Sequence, residues 1–408
     1  MFNRFFKSTL LLVLFMGVSC QNLAEEKPTT LAVKDSKAES NPEIVTGANR
    51  TAAYLPLLEG KKVGIIGNHT SIITSPEGQV HLVDSLVSLG VDVEKVFAPE
   101  HGFRGKADAG EVVKDGIDVK TGLPIVSLYG DNKKPTPEQL KGLDILLFDI
   151  QDVGTRFYTY ISTLHYIMEA AAENNIPVIV LDRPNPNGSY IDGPMLEPQH
   201  ESFVGMDPIP VVYGMTIGEY AKMINGEKWL NNGVQADLEV IELKNYNHDL
   251  AYDLPVKPSP NLPNAKSINL YPSLCFFEGT SVNAGRGTPN QFQVFGSPYL
   301  DKEKYKYSYT PVSNEGSQYP KHKGVKCYGM DLTAHPDVNK IKLDWIIEAY
   351  NNSSDQENFF KPYFTKLAGT TKLQEQIEAG LSPEEIRASW KEDHEAFAKT
   401  REKYLLYE

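Results

Sequence analysis

Glu100 lies in the run Phe97-Ala98-Pro99-Glu100-His101-Gly102-Phe103-Arg104, flanked by apolar residues. Apolar neighbours desolvate a carboxyl group and favour its acid form, so it can give a proton to a leaving oxygen near neutral pH. Cleaving a glycosidic bond needs such an acid, together with a second group that stabilises the cationic sugar or directs water. Glu278, which follows Phe276-Phe277, is the second carboxylate best placed by its neighbours, with Asp152 next. Around these three catalytic candidates stand residues of the types that bind saccharides: Asn68, His101, Arg104, Asp149, Gln151, Arg156, Tyr158, Asp182, Arg183, Asn185 and Arg286.

The elements that must position them are strands. Ile145-Leu146-Leu147-Phe148 is an unbroken apolar run, the pattern of a strand buried on both faces of a parallel sheet. Asp149, Gln151, Asp152, Arg156, Tyr158 and Tyr160 follow it directly. Val93 to Ala98 empties in the same way into Glu100, His101 and Arg104, and Val178 to Leu181 into Asp182, Arg183 and Asn185. Val63 to Gly67 ends at Asn68, and Ile125 to Tyr129 supplies a further short strand. Between these runs lie helical stripes, such as Leu82, Val83, Leu86 and Leu89 ending at Gly90, and Tyr160, Ile161, Leu164, Ile167, Met168 and Ala171. Glu169 falls on the opposite side of the second stripe and is expected in solvent. Helix starts are written by Thr136-Pro137, by Thr216 with Glu219, and by Ser382 with Glu385.

Alternating strands and helices predict an α/β, Rossmann-like, mostly parallel sheet with helices on both faces. In such sheets ligands bind beyond the carboxyl ends of the strands. Three polar clusters then share one edge, and the segment from Glu278 to Arg286 is long enough to close over them. The residues from about 245 to 296 read as irregular, and the remainder as a smaller C-terminal α/β domain. The expected divisions are a leader over 1–19, a disordered tether over 20–50, the Rossmann-like domain over 51–285 and the smaller domain over 286–408. The leader follows from Arg4 and Lys7, the apolar run Leu10 to Met16, and the small residues before Cys20. Cys20 is the expected lipidation site of an exported protein, periplasmic or anchored in the outer membrane. That anchor is its expected membrane contact.

A net charge of −13 excludes a protein that binds nucleic acid through a basic face. It also requires a local arginine wherever an anion is held. The sequence carries no G-x-G-x-x-G after its first strand, no P-loop, no G-x-S-x-G and no H-E-x-x-H, so no cofactor and no metal site are assigned. Cys275 and Cys327 are the cysteines of the folded part, and their spacing matches no zinc pattern.

The motifs PEHGFRG, FDIQDVGTRFYTYI, VLDRPNPNG, IPVVYGMTIGEYA, PSPNLP and YPSLCFFEGT with GRGT resemble the exo-β-N-acetylmuramidase (NamZ) family. The likeness runs from about residue 53 to the end. The segment Gly67 to Ser71 departs from it, where a T-N-P-T-G turn is expected. The resemblance implies a hydrolase that removes terminal N-acetylmuramic acid from the non-reducing ends of peptidoglycan fragments, with its site in a cleft between two domains. Its partners would be muramyl saccharides from the wall. Such a substrate carries a lactyl carboxylate, which suits the planar fork of Arg286, Arg104 or Arg156. Two rival readings are a metal-dependent hydrolase using His101, Asp149, Asp152 and Asp182, and a non-catalytic glycan-binding lipoprotein.

Overall fold

A computed structural model describes residues 43–104 and 115–408. The predicted leader, Cys20 and most of the tether lie outside the described residues. The fold starts before residue 50. Val45 bridges to Lys244, and the Gly47 amide donates to the Asp182 carbonyl at 2.8 Å.

Among the described residues, nine strands belong to the first part of the chain: β1 (Val63–Gly67), β2 (Ile72–Ser75), β3 (Gly78–His81), β4 (Val93–Ala98), β5 (Gly116–Ile117), β6 (Pro124–Ser127), β7 (Ile145–Asp149), β8 (Val178–Leu181) and β9 (Leu238–Ile241). Seven of them make one sheet in the order β5-β6-β4-β1-β7-β8-β9. All its pairings are parallel except that of the edge strand β5. β1, β7 and β8 are buried at every position, which is why they are apolar without alternation. Successive residues nevertheless go to opposite faces. Leu146, Phe148, Val178 and Val180 join one core, and Ile65, Leu147, Ile179 and Leu181 the other. β2 and β3 pair separately as a hairpin.

The chain runs outward from β1 through β4 to β6, then returns to β7 on the other side of β1. The direction of winding reverses between β1 and β7, and there the connections leaving the two carboxyl ends diverge to open a crevice. β1 and β7 are paired in register to their ends, Gly67 against Asp149.

A second sheet of β10 (Val294–Ser297), β11 (Tyr307–Tyr309) and β12 (Cys327–Asp331) is antiparallel in the order β10-β12-β11. The described residues form one compact unit. The core that holds Phe148 and Leu164 continues into Phe364, Leu373 and Trp390 of the C-terminal helices.

The stretch expected to be irregular contains the helix Ala265–Leu274. Its N-terminus has a capping box between Asn264 and Ser267, and Pro272 sits inside it. Proline has no N–H for the carbonyl four residues back. That carbonyl, on Ile268, instead accepts from Asn187 Nδ2 at 3.2 Å. Glu169 is buried rather than solvated. It accepts from Lys134 Nζ at 2.6 Å and from the Asn231 amide at 2.7 Å. Cys275 and Cys327 are buried free thiols.

Arg156 is fully buried and donates to four backbone carbonyls: Pro194 at 2.9 Å, Ile209 at 2.6 Å, Leu367 at 3.1 Å and Ala368 at 2.7 Å. Burial pulls its pKa down to about 9. It ties three distant segments together and is not a substrate ligand. Each buried carbonyl left unpaired costs about 1–3 kcal/mol. Arg156→Ala should therefore lower stability by more than about 3 kcal/mol in urea denaturation. A change under about 1 kcal/mol would contradict this structural role.

Candidate active site

At the carboxyl end of β4 the chain turns sharply. The Gly102 amide donates to the Pro99 carbonyl at 3.0 Å, and His101 has φ +68°, a left-handed value usually left to glycine or asparagine. Strain of this kind, roughly 1–3 kcal/mol, persists where the surroundings impose it and clusters at functional sites. The turn sets Glu100 and His101 in the wall of a cavity of about 70 Å³. The opposite walls come from Tyr158, Thr159 and Tyr160 after β7, from Ser259, Asn261 and Leu262 of the PSPNLP run, and from Tyr271, Arg286 and Phe292.

Glu100 is held at both oxygens. Tyr129 Oη lies 3.0 Å from Oε1, and Thr159 Oγ1 lies 3.0 Å from Oε2. A hydroxyl donates to a carboxylate and accepts from a carboxylic acid, so this clamp survives a proton transfer. Glu100 is the acid that lines the cavity among the described residues. Edge-to-face rings form the adjoining wall: Tyr158 with Tyr160 at 4.9 Å, Phe157 with Tyr271 at 5.4 Å, and Tyr271 with Phe292 at 4.9 Å. Tyr158 is oriented by its hydroxyl, which donates to the Pro258 carbonyl at 2.8 Å.

Arg286 enters from the loop before β10. Gly285 and Gly287 have φ +79° and +77°. A Cβ on either would meet a backbone oxygen at 2.6 Å, Asn290 for the first and Val312 for the second. The two glycines thus serve the loop's own packing. Asn283 fixes that loop, accepting from the Gly285 amide at 2.6 Å and donating to the Arg286 carbonyl at 3.2 Å. Arg286 Nε lies 3.1 Å from Glu278 Oε2 without the alignment of a hydrogen bond, and its guanidinium stands 5.3 Å from the centre of the Phe292 ring. Burial opposes the charge on Arg286, but the Glu278 carboxylate, Tyr271 and Cys275 together outweigh it and hold the pKa above its ordinary value. Glu278 is therefore the ion-pair partner of Arg286 and does not line the cavity beside Glu100. Its loop is secured by Lys321, whose Nζ donates to the carbonyls of Phe277 at 2.9 Å, Thr280 at 2.5 Å and Val282 at 2.8 Å.

Of the predicted binding residues, the structure brings His101, Tyr158 and Arg286 to the cavity with Glu100. Asn68, Gln151 and Asp152 are buried at the neighbouring carboxyl ends of β1 and β7. Five others are engaged elsewhere, besides Arg156. Arg104 pairs with Asp84 at 3.0 Å and Asp118 at 2.7 Å and packs on Phe103. Asp149 and Arg183 form a buried two-pronged pair at 2.6 and 2.9 Å, and Arg183 also donates to the Ile72 carbonyl. Asp182 caps the helix Ile217–Gly226 through the Gly218 amide and Thr216, and takes the Tyr407 hydroxyl at 2.7 Å. Burial raises its pKa to about 7. Asn185 braces the Met215 carbonyl and the Asn187 amide, each at 2.8 Å. Among the described residues, no three His, Cys, Asp or Glu side chains converge as a metal ion would require.

The comparisons with known proteins agree with this architecture. Residues 63–266 match the family model described as exo-beta-N-acetylmuramidase NamZ, N-terminal, and residues 269–407 match its C-terminal counterpart. The chain is 41% identical to the peptidoglycan beta-N-acetylmuramidase NamZ of Bacillus subtilis (strain 168), over 92% of this chain and 95% of that protein. Two crystal structures of DUF1343 family proteins from Bacteroides fragilis share the fold. One has 45% identity and a TM-score of 0.83 over 90% of this chain and 99% of its own. The other has 30% identity and a TM-score of 0.77 over 90% and 100%. The chain belongs to the exo-beta-N-acetylmuramidase NamZ family.

Proposed function

We propose that this protein is an exo-acting glycoside hydrolase that removes terminal N-acetylmuramic acid from the non-reducing ends of peptidoglycan fragments, as in cell-wall recycling. The observation that carries this reading is the joint presence of Glu100 and Arg286 in one small, ring-walled cavity. Glu100 acts as general acid on the leaving oxygen, with Tyr129 and Thr159 keeping its carboxyl aligned. The Nη edge of Arg286 takes the lactyl carboxylate in a two-pronged contact, since the Glu278 contact is through Nε. The aromatic wall packs against the apolar face of the sugar.

Release of free N-acetylmuramic acid from an aryl N-acetyl-β-muramide, measured with and without a chelator, tests the reading. Chelator-insensitive release is expected, with little release from the matching N-acetylglucosaminide. Binding of muropeptides without turnover would replace the reading with that of a glycan-binding protein. Loss of activity with chelator would favour a metal-dependent hydrolase.

The proposal extends to location. The protein is exported and tethered through a lipidated Cys20, a reading supported by the charged, apolar and small-residue order of the leader. It should partition with membranes, and Cys20→Ser should release it. Recovery of the unmutated protein in the soluble periplasmic fraction would rule out the anchor.

A further inference from the structure

Buried side-chain polar atoms almost always have partners, and an unpaired one costs about 1–3 kcal/mol. Three that lack a partner lie together at the β1–β7 crevice: Asn68 Nδ2, Gln151 Oε1 and Asp152 Oδ1. Each belongs to a side chain at most 3% exposed. Their placement is fixed by what the other ends do. Asn68 Oδ1 accepts from the Thr70 amide at 2.8 Å and its hydroxyl at 2.6 Å, which leaves the buried NH2 group beside Tyr160 without an aligned partner. Gln151 Nε2 donates to the carbonyls of Asp152 at 2.8 Å and Pro184 at 2.7 Å, leaving its oxygen unused. Asp152 Oδ2 takes the Gly154 amide at 2.7 Å and the Tyr213 hydroxyl, leaving Oδ1. The Gln151 amide donates to Thr70 Oγ1 at 3.0 Å, which joins the two turns into one hydrogen-bonded cluster.

The free atoms comprise one donor and two acceptors: the oxygen of a secondary amide takes the donor, its single N–H takes one acceptor, and a neighbouring sugar hydroxyl takes the other. Asp152 is also within electrostatic reach of the same two rings as Glu100, since both carboxylates oppose ionisation of Tyr158 and Tyr160. In an N-acetylated sugar the amide is on C2, one bond from the carbon whose leaving oxygen Glu100 must protonate.

We propose that Asn68, Gln151 and Asp152 form a receptor for the substrate's 2-acetamido group, and that this group is the nucleophile of the first step. The inference rests on the muramidase reading above. Asp152 Oδ1 accepts the amide N–H, Asn68 Nδ2 donates to the acetamido oxygen, and Gln151 Oε1 accepts from a neighbouring sugar hydroxyl. The acetamido oxygen forms a bond to C1 as the bond from C1 to the leaving oxygen breaks. The proton of Glu100 goes to that oxygen, and the positive charge of the resulting oxazolinium is spread over the amide beside the Asp152 carboxylate. Water then gives a proton to Glu100 and adds to C1, the ring bond to the acetamido oxygen reopens, and the β configuration is regained.

The test uses the wild-type enzyme on a series of aryl β-muramides whose N-acyl group is acetyl, fluoroacetyl, difluoroacetyl or trifluoroacetyl. Fluorine weakens the acyl oxygen as a nucleophile, so kcat should fall with each fluorine added. The first sugar detected by NMR should be the β anomer. Asp152→Asn should lower kcat by about a hundred- to a thousandfold, the size of one lost transition-state partner. KM should change little and the melting temperature should hold. A flat fluorine series with turnover of the acetyl substrate would overturn the proposal and leave the muramidase reading intact. An α-anomeric first product would do the same. Absence of N-acetylmuramic acid from every substrate would sink the muramidase reading and this inference with it.

Discussion

Glu100→Gln should lower turnover of a natural muramyl disaccharide by roughly a hundred- to ten-thousandfold, because the amide keeps the shape but has no proton to give. The clamp makes this variant informative. Tyr129 and Thr159 have hydroxyls that can serve an amide as well as a carboxyl, so the side chain should stay in place. The loss should then fall on kcat. A substrate with a very good leaving group needs little protonation, and it should recover part of the lost rate. Retention of more than about a tenth of wild-type turnover on the disaccharide would remove Glu100 from the role of acid.

Arg286→Ala should reduce kcat/KM for an aryl N-acetyl-β-muramide by about a hundredfold or more, and that for the matching N-acetylglucosaminide far less. Hydrogen bonds to a charged group contribute about 1.5–3 kcal/mol each, and a two-pronged contact supplies two. The geometry adds a second effect. Without Arg286, the Glu278 carboxylate would face the lactyl carboxylate with nothing between them, so repulsion should deepen the loss on the muramyl substrate. The double variant Arg286→Ala with Glu278→Gln should consequently be more active on that substrate than Arg286→Ala alone. Arg286→Lys should rescue poorly, since an ammonium cannot make the planar fork. Equal losses on both sugars would mean that Arg286 serves the loop, and that the lactyl group is read elsewhere.

How much of this was legible in the sequence depends on the kind of residue. β1, β7 and β8 were legible because a strand buried on both faces must be apolar throughout, and such runs stand out, while β4 was legible from its apolar end Val96-Phe97-Ala98. Their carboxyl ends, and with them Glu100, followed from the topology. The arginines were harder. A strand-end arginine that faces a ligand and one that serves distant backbone have the same local surroundings in sequence. Arg156 has partners at positions 194, 209, 367 and 368, and no short-range pattern announces them. Arg104 and Arg183 are alike in this respect, since each is neutralised by acids brought close only by folding.

The helix Ala265–Leu274 was hidden by Pro272, which normally argues against a helix. Its one visible signal was the Asn264 cap. Tyr129 and Thr159 were missed because a hydroxyl that positions a catalytic group has no spacing of its own. Glu278 was expected as the second carboxylate from its apolar flank, and the structure sets it against Arg286, outside the residues that line the cavity. The hydrogen-bonded turns around Asn68 and Gln151 likewise emerge only when β1 and β7 lie side by side.

The central claim is an exo-acting cut after one muramyl residue, and the order of product release from a defined glycan tests it most directly. A tetrasaccharide of alternating N-acetylmuramic acid and N-acetylglucosamine, with the muramyl unit at its non-reducing end, is incubated with purified protein and sampled early. The account predicts free N-acetylmuramic acid and a trisaccharide as the first products, and no cleavage of the isomer that begins with N-acetylglucosamine. Disaccharides appearing first, or equal cleavage of both isomers, would contradict it.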